Sequence, residues 1–173
     1  MSDQNDLSQI TVSEFLQRLD AAWASLQSFL SSLTPGQLSG PTDTAGWTVK
    51  DHLVHIIVWE DGINSLLEGG DRRARMGVDE ATWAGRDSDA INAAIQQRNR
   101  ERTPDDVLAA LGRTHAAFRN HISGMSDADL QRPYNTLVPT SDDTRPFIGW
   151  LEGDSFGHYT EHLPWMQAIV DQS

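Results

Sequence analysis

The sequence predicts an all-α fold, a four-helix bundle with one shorter additional helix, on three observations. Apolar residues return at three- and four-residue steps over four long segments. Thr11, Thr48 and Thr103 stand where a hydroxyl can cap three of those segments. No stretch shows the sustained apolar/polar alternation of a half-buried strand.

Residues 1–10 are polar and acidic and read as a flexible tail, followed by a single helical domain over 11–173. The first helix is expected over 11–33. Thr11 and Glu14 have capping-box spacing, and Phe15, Leu19, Leu26, Phe29 and Leu33 follow on one face. From Thr34 to Gly46, two prolines and three glycines favour turns. Thr48 opens a second helix over 48–68, which carries Val49, Leu53, Ile56, Ile63 and Leu66 and stops at Gly69-Gly70. Residues 71–86 are charged and weakly patterned, with Arg72, Arg73 and Arg75 clustered, and read as a connection with a short helix.

The shorter helix is expected over 88–101, with Ala90, Ile91, Ala94 and Ile95 as its apolar stripe. Thr103-Pro104 then starts a helix over 104–123, with Asp105 and Asp106 complementing the positive end of its dipole. Residues 126–134 allow one helical turn, and Thr136 to Pro139 a few extended residues. The last helix is expected over 146–170. Pro164 removes its bond to the Thr160 carbonyl and predicts a kink just after His162.

With no cysteine among 173 residues, disulfides, thiolate metal sites and a cysteine nucleophile are excluded. Any metal must be held by nitrogen and oxygen. A formal charge of −12 repels a phosphate backbone, so nucleic acid is not an expected partner. No apolar run reaches the roughly 18–20 residues of a membrane span, and a cytoplasmic location is expected.

The chemistry resides in the histidines. His158 and His162 are four residues apart, which on a helix leaves their rings about 40° apart in azimuth and within reach of one ion. A third imidazole can come from the second helix, where His52 and His55 differ by roughly 60° and cannot both face one centre equally. His55, flanked by Val54 and Ile56, is the preferred choice; His52 follows Lys50-Asp51 at the more solvated start. Three imidazoles suit zinc or nickel ahead of iron or copper, and far better than magnesium or calcium. His115 reads as a partly buried structural residue and His121 as exposed. Trp23 and Trp150 read as core-filling, whereas Trp59 and Trp165 can wall a pocket beside the histidines. Asp51, Glu60, Asp154 and Glu161 lie near these positions, but none earns a catalytic role from spacing, and no serine-hydrolase, P-loop or dinucleotide motif is present.

The segment from Gly46-Trp47-Thr48 through His52-Leu53-Val54-His55 to Trp59-Glu60, followed by Gly157-His158-Tyr159-Thr160-Glu161-His162-Leu163-Pro164, resembles the DinB/YfiT-like superfamily of four-helix metal-binding proteins. Residues Asp89 to Arg100 and Ser126 to Leu130 look like its ClbS/DfsB-type branch. The resemblance implies one divalent transition metal on His55, His158 and His162, and a metal-dependent enzyme that acts on a small electrophilic or toxic molecule. Such an enzyme would be a hydrolase using activated water, or a transferase or isomerase using a low-molecular-weight thiol. It also implies homodimerisation, for which six tryptophans offer an apolar supply. The alternative is a non-catalytic protein that binds or sequesters a small molecule in the same cleft.

Overall fold

A computed structural model describes residues 7–172, so residues 1–6 of the expected tail lie outside the described residues. Leu7–Gln9 form a 3-10 turn, and Ile10 is buried in the core. Leu7 to Ile10 are thus part of the described folded body. The Gln131 side chain donates to the Leu7 carbonyl at 2.8 Å and holds this turn against the body of the protein.

Helix α1 (Val12–Ser31) starts at the expected capping box: Thr11 Oγ1 accepts from the Glu14 N–H, and Glu14 Oε2 accepts from the Thr11 N–H. A short helix, α2 (Pro35–Ser39), occupies part of the segment expected to hold only turns. The cause is local. Thr34 and Gln37 close a second capping box, and Pro35 sits in the first turn, where its missing N–H costs nothing. Helix α3 (Val49–Leu67) follows a third box between Thr48 and Asp51. Between 71 and 86 there are two short helices where one was expected, α4 (Arg72–Met76) and α5 (Glu80–Ala84), each capped by an aspartate, Asp71 and Asp79. Gly77, with φ of 70°, makes the left-handed turn that separates them.

Helices α6 (Ser88–Asn99), α7 (Pro104–Ser123) and α8 (Asp127–Leu130) follow the sequence expectation to within a residue or two. Thr136 to Pro139 is not extended. Tyr134–Thr136 form a 3-10 turn, and the Leu137 and Val138 N–H groups both bond the Tyr134 carbonyl. Among the described residues there is no strand, only isolated bridges joining Thr42 to Thr48 and Pro133 to Pro146.

The last expected helix is two, α9 (Ile148–Gly153) and α10 (Phe156–Val170). Ser155, at φ −129° and ψ −108°, breaks the helical path, and its hydroxyl donates back to the Leu151 carbonyl at 2.6 Å. Gly157 permits the tight joint: a Cβ there would stand 2.9 Å from the Glu152 carbonyl oxygen. Pro164 lies inside α10, which continues beyond it to Val170.

Helices α1, α3, α7 and α10 form the bundle. Helix α3 is central, packing against α2, α4, α6, α7 and α10, while α1 covers α7 and α10. Phe15, Leu19, Leu53, Ile56, Leu111, Phe118, Phe147 and Tyr159 fill the interior at 0–1% exposure. Within this apolar surround α3 also buries His52, His55, Glu60 and Asn64, which need polar partners there. No described helix is long and apolar enough to cross a membrane.

Candidate metal centre

Burial on facing helices brings together His55 from α3 and His158 and His162 from α10. One nitrogen from each lies within 4.8 Å of the others. His55 Nε2 and His158 Nε2 are 2.8 Å apart. His162 packs at 4.7 Å, ring to ring, from both. They border a cleft of about 790 Å³ whose walls include Trp47, Trp165, Asn92 and Glu161. Such a donor set, three imidazoles and no thiolate, can chelate a divalent transition metal while leaving coordination positions towards the cleft.

The site is electrostatically prepared for neutral nitrogens. Burial pushes the pKa of His55 down to about 2, with the neighbouring histidines opposing a second positive charge. Burial also lowers His162, to about 3, with repulsion from His158 and His52 next, and lowers His158 to about 4, helped by Arg72. Neutral imidazole is the form that ligates. The Nδ1 atoms of His55 and His158 are buried without a hydrogen bond of regular geometry, with the Asn92 side chain close enough to His55 to act on it weakly. Nε2 of one ring must donate to Nε2 of the other, so their single shared proton occupies the position a cation would contest.

His52 is the residue whose place differs most from its sequence reading. It is buried rather than solvated, because the loop before α3 folds over it. Asp43 shapes that loop: its Oδ1 accepts from the N–H groups of Ala45 and Trp47, Gly46 takes φ of 84°, and its Oδ2 lies 3.1 Å from His52 Nε2. His52 Nδ1 is in turn 2.9 Å from His162 Nδ1. Burial lowers the His52 pKa, and the Asp43 bond partly restores it. In the neutral state one arrangement satisfies this chain. The carboxylate only accepts, so His52 carries its proton on Nε2; its Nδ1 then accepts from His162 Nδ1–H, which leaves the lone pair of His162 on Nε2. Asp43 and His52 thus fix the tautomer of a candidate ligand, as outer-shell groups do in metal sites. Asp43 was not anticipated; the aspartate-to-glycine turn just before the Thr48 cap was its available signal.

The remaining residues sort by contact. Asp51 caps α3, Asp154 pairs with Arg72 at 2.6 Å, and Glu161 lines the cleft. Glu60 is fully buried and accepts from the Tyr159 hydroxyl at 2.5 Å. His115, as expected, is structural: its Nδ1 is 3.1 Å from the Tyr159 hydroxyl, and its ring stacks on Trp23 at 3.8 Å. His121 is half-buried rather than exposed and lies 3.4 Å from Glu68. Trp165, 48% exposed, stands edge-on to His162 at the cleft. Trp59 packs near His55, but its other side lines a separate cavity. Trp47, which packs on both His52 and His55, is a wall the sequence reading missed.

The fold and this histidine cluster define an all-α bundle whose three clustered imidazoles are able to chelate a divalent metal. The DinB superfamily profile matches residues 18–166, and the chain belongs to that superfamily. Among solved structures it is similar to an uncharacterised protein from Escherichia coli UTI89, with 16% identity, 94% of each chain covered and a TM-score of 0.74. It is also similar to the colibactin self-resistance protein ClbS, solved in complex with double-stranded DNA, at 15% identity over 92% of this chain and 94% of that one, TM-score 0.66. A third similar structure is DfsB, described as a sibling lethal factor precursor, at 12% identity over 94% of each chain, TM-score 0.65. These likenesses establish the shared fold. No curated protein matches the chain.

Proposed function

We propose that this protein is a metal-dependent enzyme acting on a small molecule, with one divalent transition metal, zinc or nickel ahead of iron or copper, on His55, His158 and His162. The observation that carries the reading is the convergence of three buried imidazoles, held neutral, beside an open cleft. A bound ion would supply Lewis acidity, polarising an electrophile or activating water or a low-molecular-weight thiol. The protein's own part is to keep the nitrogens unprotonated, to orient His162 through Asp43 and His52, and to present a cleft walled by Trp47 and Trp165. Because the chain has no cysteine, any thiol comes from a cosubstrate. A detoxifying role on an electrophilic metabolite is the finer form of this reading, supported by the fold shared with a self-resistance protein. The DNA in that structure is not carried over, since a charge of −12 opposes phosphate.

Untagged protein, purified and assayed by elemental analysis, is expected to hold one equivalent of metal. Turnover with electrophiles, with and without a small thiol, should then be lost on chelation. Full turnover after chelation, or a native chain that takes up no metal, would overturn the reading in favour of a non-catalytic binder. We also propose a homodimer, and sedimentation at micromolar concentration is its test; a monomer there rejects it. Every tryptophan has contacts within one chain, so the dimer rests on the family resemblance alone.

A further inference from the structure

A second cavity is larger than the histidine cleft. About 1050 Å³ lies on the other side of Trp59, walled by Trp59, Trp83, Tyr134 and Trp150 and edged by Arg72 and Arg86. A volume at the top of the small-molecule range, with aromatic walls and several charged side chains among them, has the form of a site for a polar ligand. Trp59 separates the two spaces: its indole N–H donates to Asn92 Oδ1 at 3.0 Å, and Asn92 belongs to the histidine cleft. We propose that this second cavity binds a small planar anion, an aromatic carboxylate by chemical class, independently of any metal.

Three features point to that chemistry. Arg72 is 5% exposed, and its guanidinium lies 5.1 Å from the Trp59 ring and 5.7 Å from the Trp150 ring. Asp154 holds its Nη2, yet its Nε is buried with no partner, leaving a donor of the guanidinium fork unused. Arg86 follows the C-cap of α5 in the left-handed conformation that ends many helices, φ 53°, with its N–H on the Trp83 carbonyl at 3.2 Å. Its side chain is exposed at the rim and forms no hydrogen bond or ion pair among the described residues. An incoming anion would be its partner.

The charge around the cavity supports the same sign. Arg72, Arg73, Arg86 and Arg145 line it in a chain with only thirteen basic residues against twenty-five acidic ones. The lining acids are largely committed: Asp143 is held by Arg145 at 2.6 Å, and Asp71 caps α4. Asp71 and Asp142 are exposed at the edge, and Asp142 has no partner among the described residues. Aromatic faces accept a flat ring by stacking, and a guanidinium accepts a carboxylate by charge-assisted hydrogen bonds.

The test is calorimetric titration of the full chain, treated with chelator, using naphthalene-2-carboxylate as the probe and naphthalene-2-carboxamide as its neutral isostere. The carboxylate should bind at least about tenfold more tightly than the amide. Arg86→Gln should erase about tenfold of that preference while leaving amide affinity unchanged, and Trp83→Ala should weaken both probes. Arg86 is exposed, so its variant is expected to fold, and circular dichroism verifies this. Equal affinities, an Arg86→Gln variant that binds like the native chain, or no binding below the millimolar range would each overturn the proposal. A titration abolished by His158→Ala but indifferent to Arg86→Gln would put the ligand at the histidines and overturn it too. Because the probe is titrated without metal, failure here leaves the metal reading standing, and an empty metal site leaves this one standing.

Discussion

The histidine centre and the Glu60–Tyr159–His115 chain both tie α3 to α10, yet they solve burial in opposite ways. In the second, the contacts pair donors with acceptors: His115 Nδ1 reaches the Tyr159 hydroxyl, and that hydroxyl reaches Glu60 Oε1, while Glu60 Oε2 is buried without a partner. In the first, nitrogens face nitrogens: Nε2 of His55 lies 2.8 Å from Nε2 of His158, and Nδ1 of His52 lies 2.9 Å from Nδ1 of His162. A chain of donor-to-acceptor contacts ties helices together. A cluster in which ring nitrogens face one another can also chelate a cation.

The sharpest way to break this comparison is to remove members from each side. Alanine at His55, His158 or His162 should lower metal affinity by more than the roughly 10- to 100-fold typical of outer-shell changes, while His115→Ala should leave it almost unmoved. Equilibrium dialysis with zinc separates these outcomes. Equal losses in the two clusters would erase the distinction.

The two clusters also carry opposite pH signs. Burial raises the Glu60 pKa to about 8, so its contribution to stability is fully present below about pH 4.5 and is lost as pH rises through about 8. The histidines have depressed values between about 2 and 4; their contribution is present above about 6.5 and is lost as pH falls through that lower range. Denaturant melts of metal-free protein should show Glu60→Gln matching the native chain near pH 5 and exceeding it near pH 9, by an amount on the order of a few kcal/mol. No gain at pH 9 would mean that Glu60 is not the group titrating. Metal retention, expected from ordinary histidines to fail through about pH 6.5, should persist towards pH 4, because the folded ligands are already neutral there.

The sequence made the long helices legible because capping and periodicity act locally. Thr11, Thr48 and Thr103 cap where they were expected to, and His158 and His162 share one face of α10, as their spacing implied, opposite His55 on α3. What escaped depended on contacts between distant segments or on loop geometry. The break at Ser155 has no proline or paired glycine to announce it; it arises where α10 turns against the end of α9. His52 looked solvated from its neighbours in sequence, and only the Asp43–Trp47 turn that folds over α3 explains its burial. The aromatic cavity draws on residues from 59 to 150, a juxtaposition that no local pattern encodes.

The smallest expected effect is the most discriminating, because it tests a proton's position and leaves all three ligands in place. Asp43→Asn keeps the Oδ1 acceptor that the Ala45 and Trp47 N–H groups require, so the loop should survive. An amide NH2 in place of Oδ2 donates to His52 Nε2, which moves the His52 proton to Nδ1 and forces His162 to accept there. The proton of His162 is then driven onto Nε2, the nitrogen needed for the ion. Metal affinity should fall about tenfold. His52→Ala removes the relay altogether and frees His162 to choose its tautomer, so its loss should be smaller. In the His52→Ala background, Asp43→Asn should add nothing, because the aspartate acts only through that ring. Additive losses in this cycle, or a larger loss from His52→Ala than from Asp43→Asn, would show that Asp43 and His52 support the centre by packing rather than by setting the tautomer of His162.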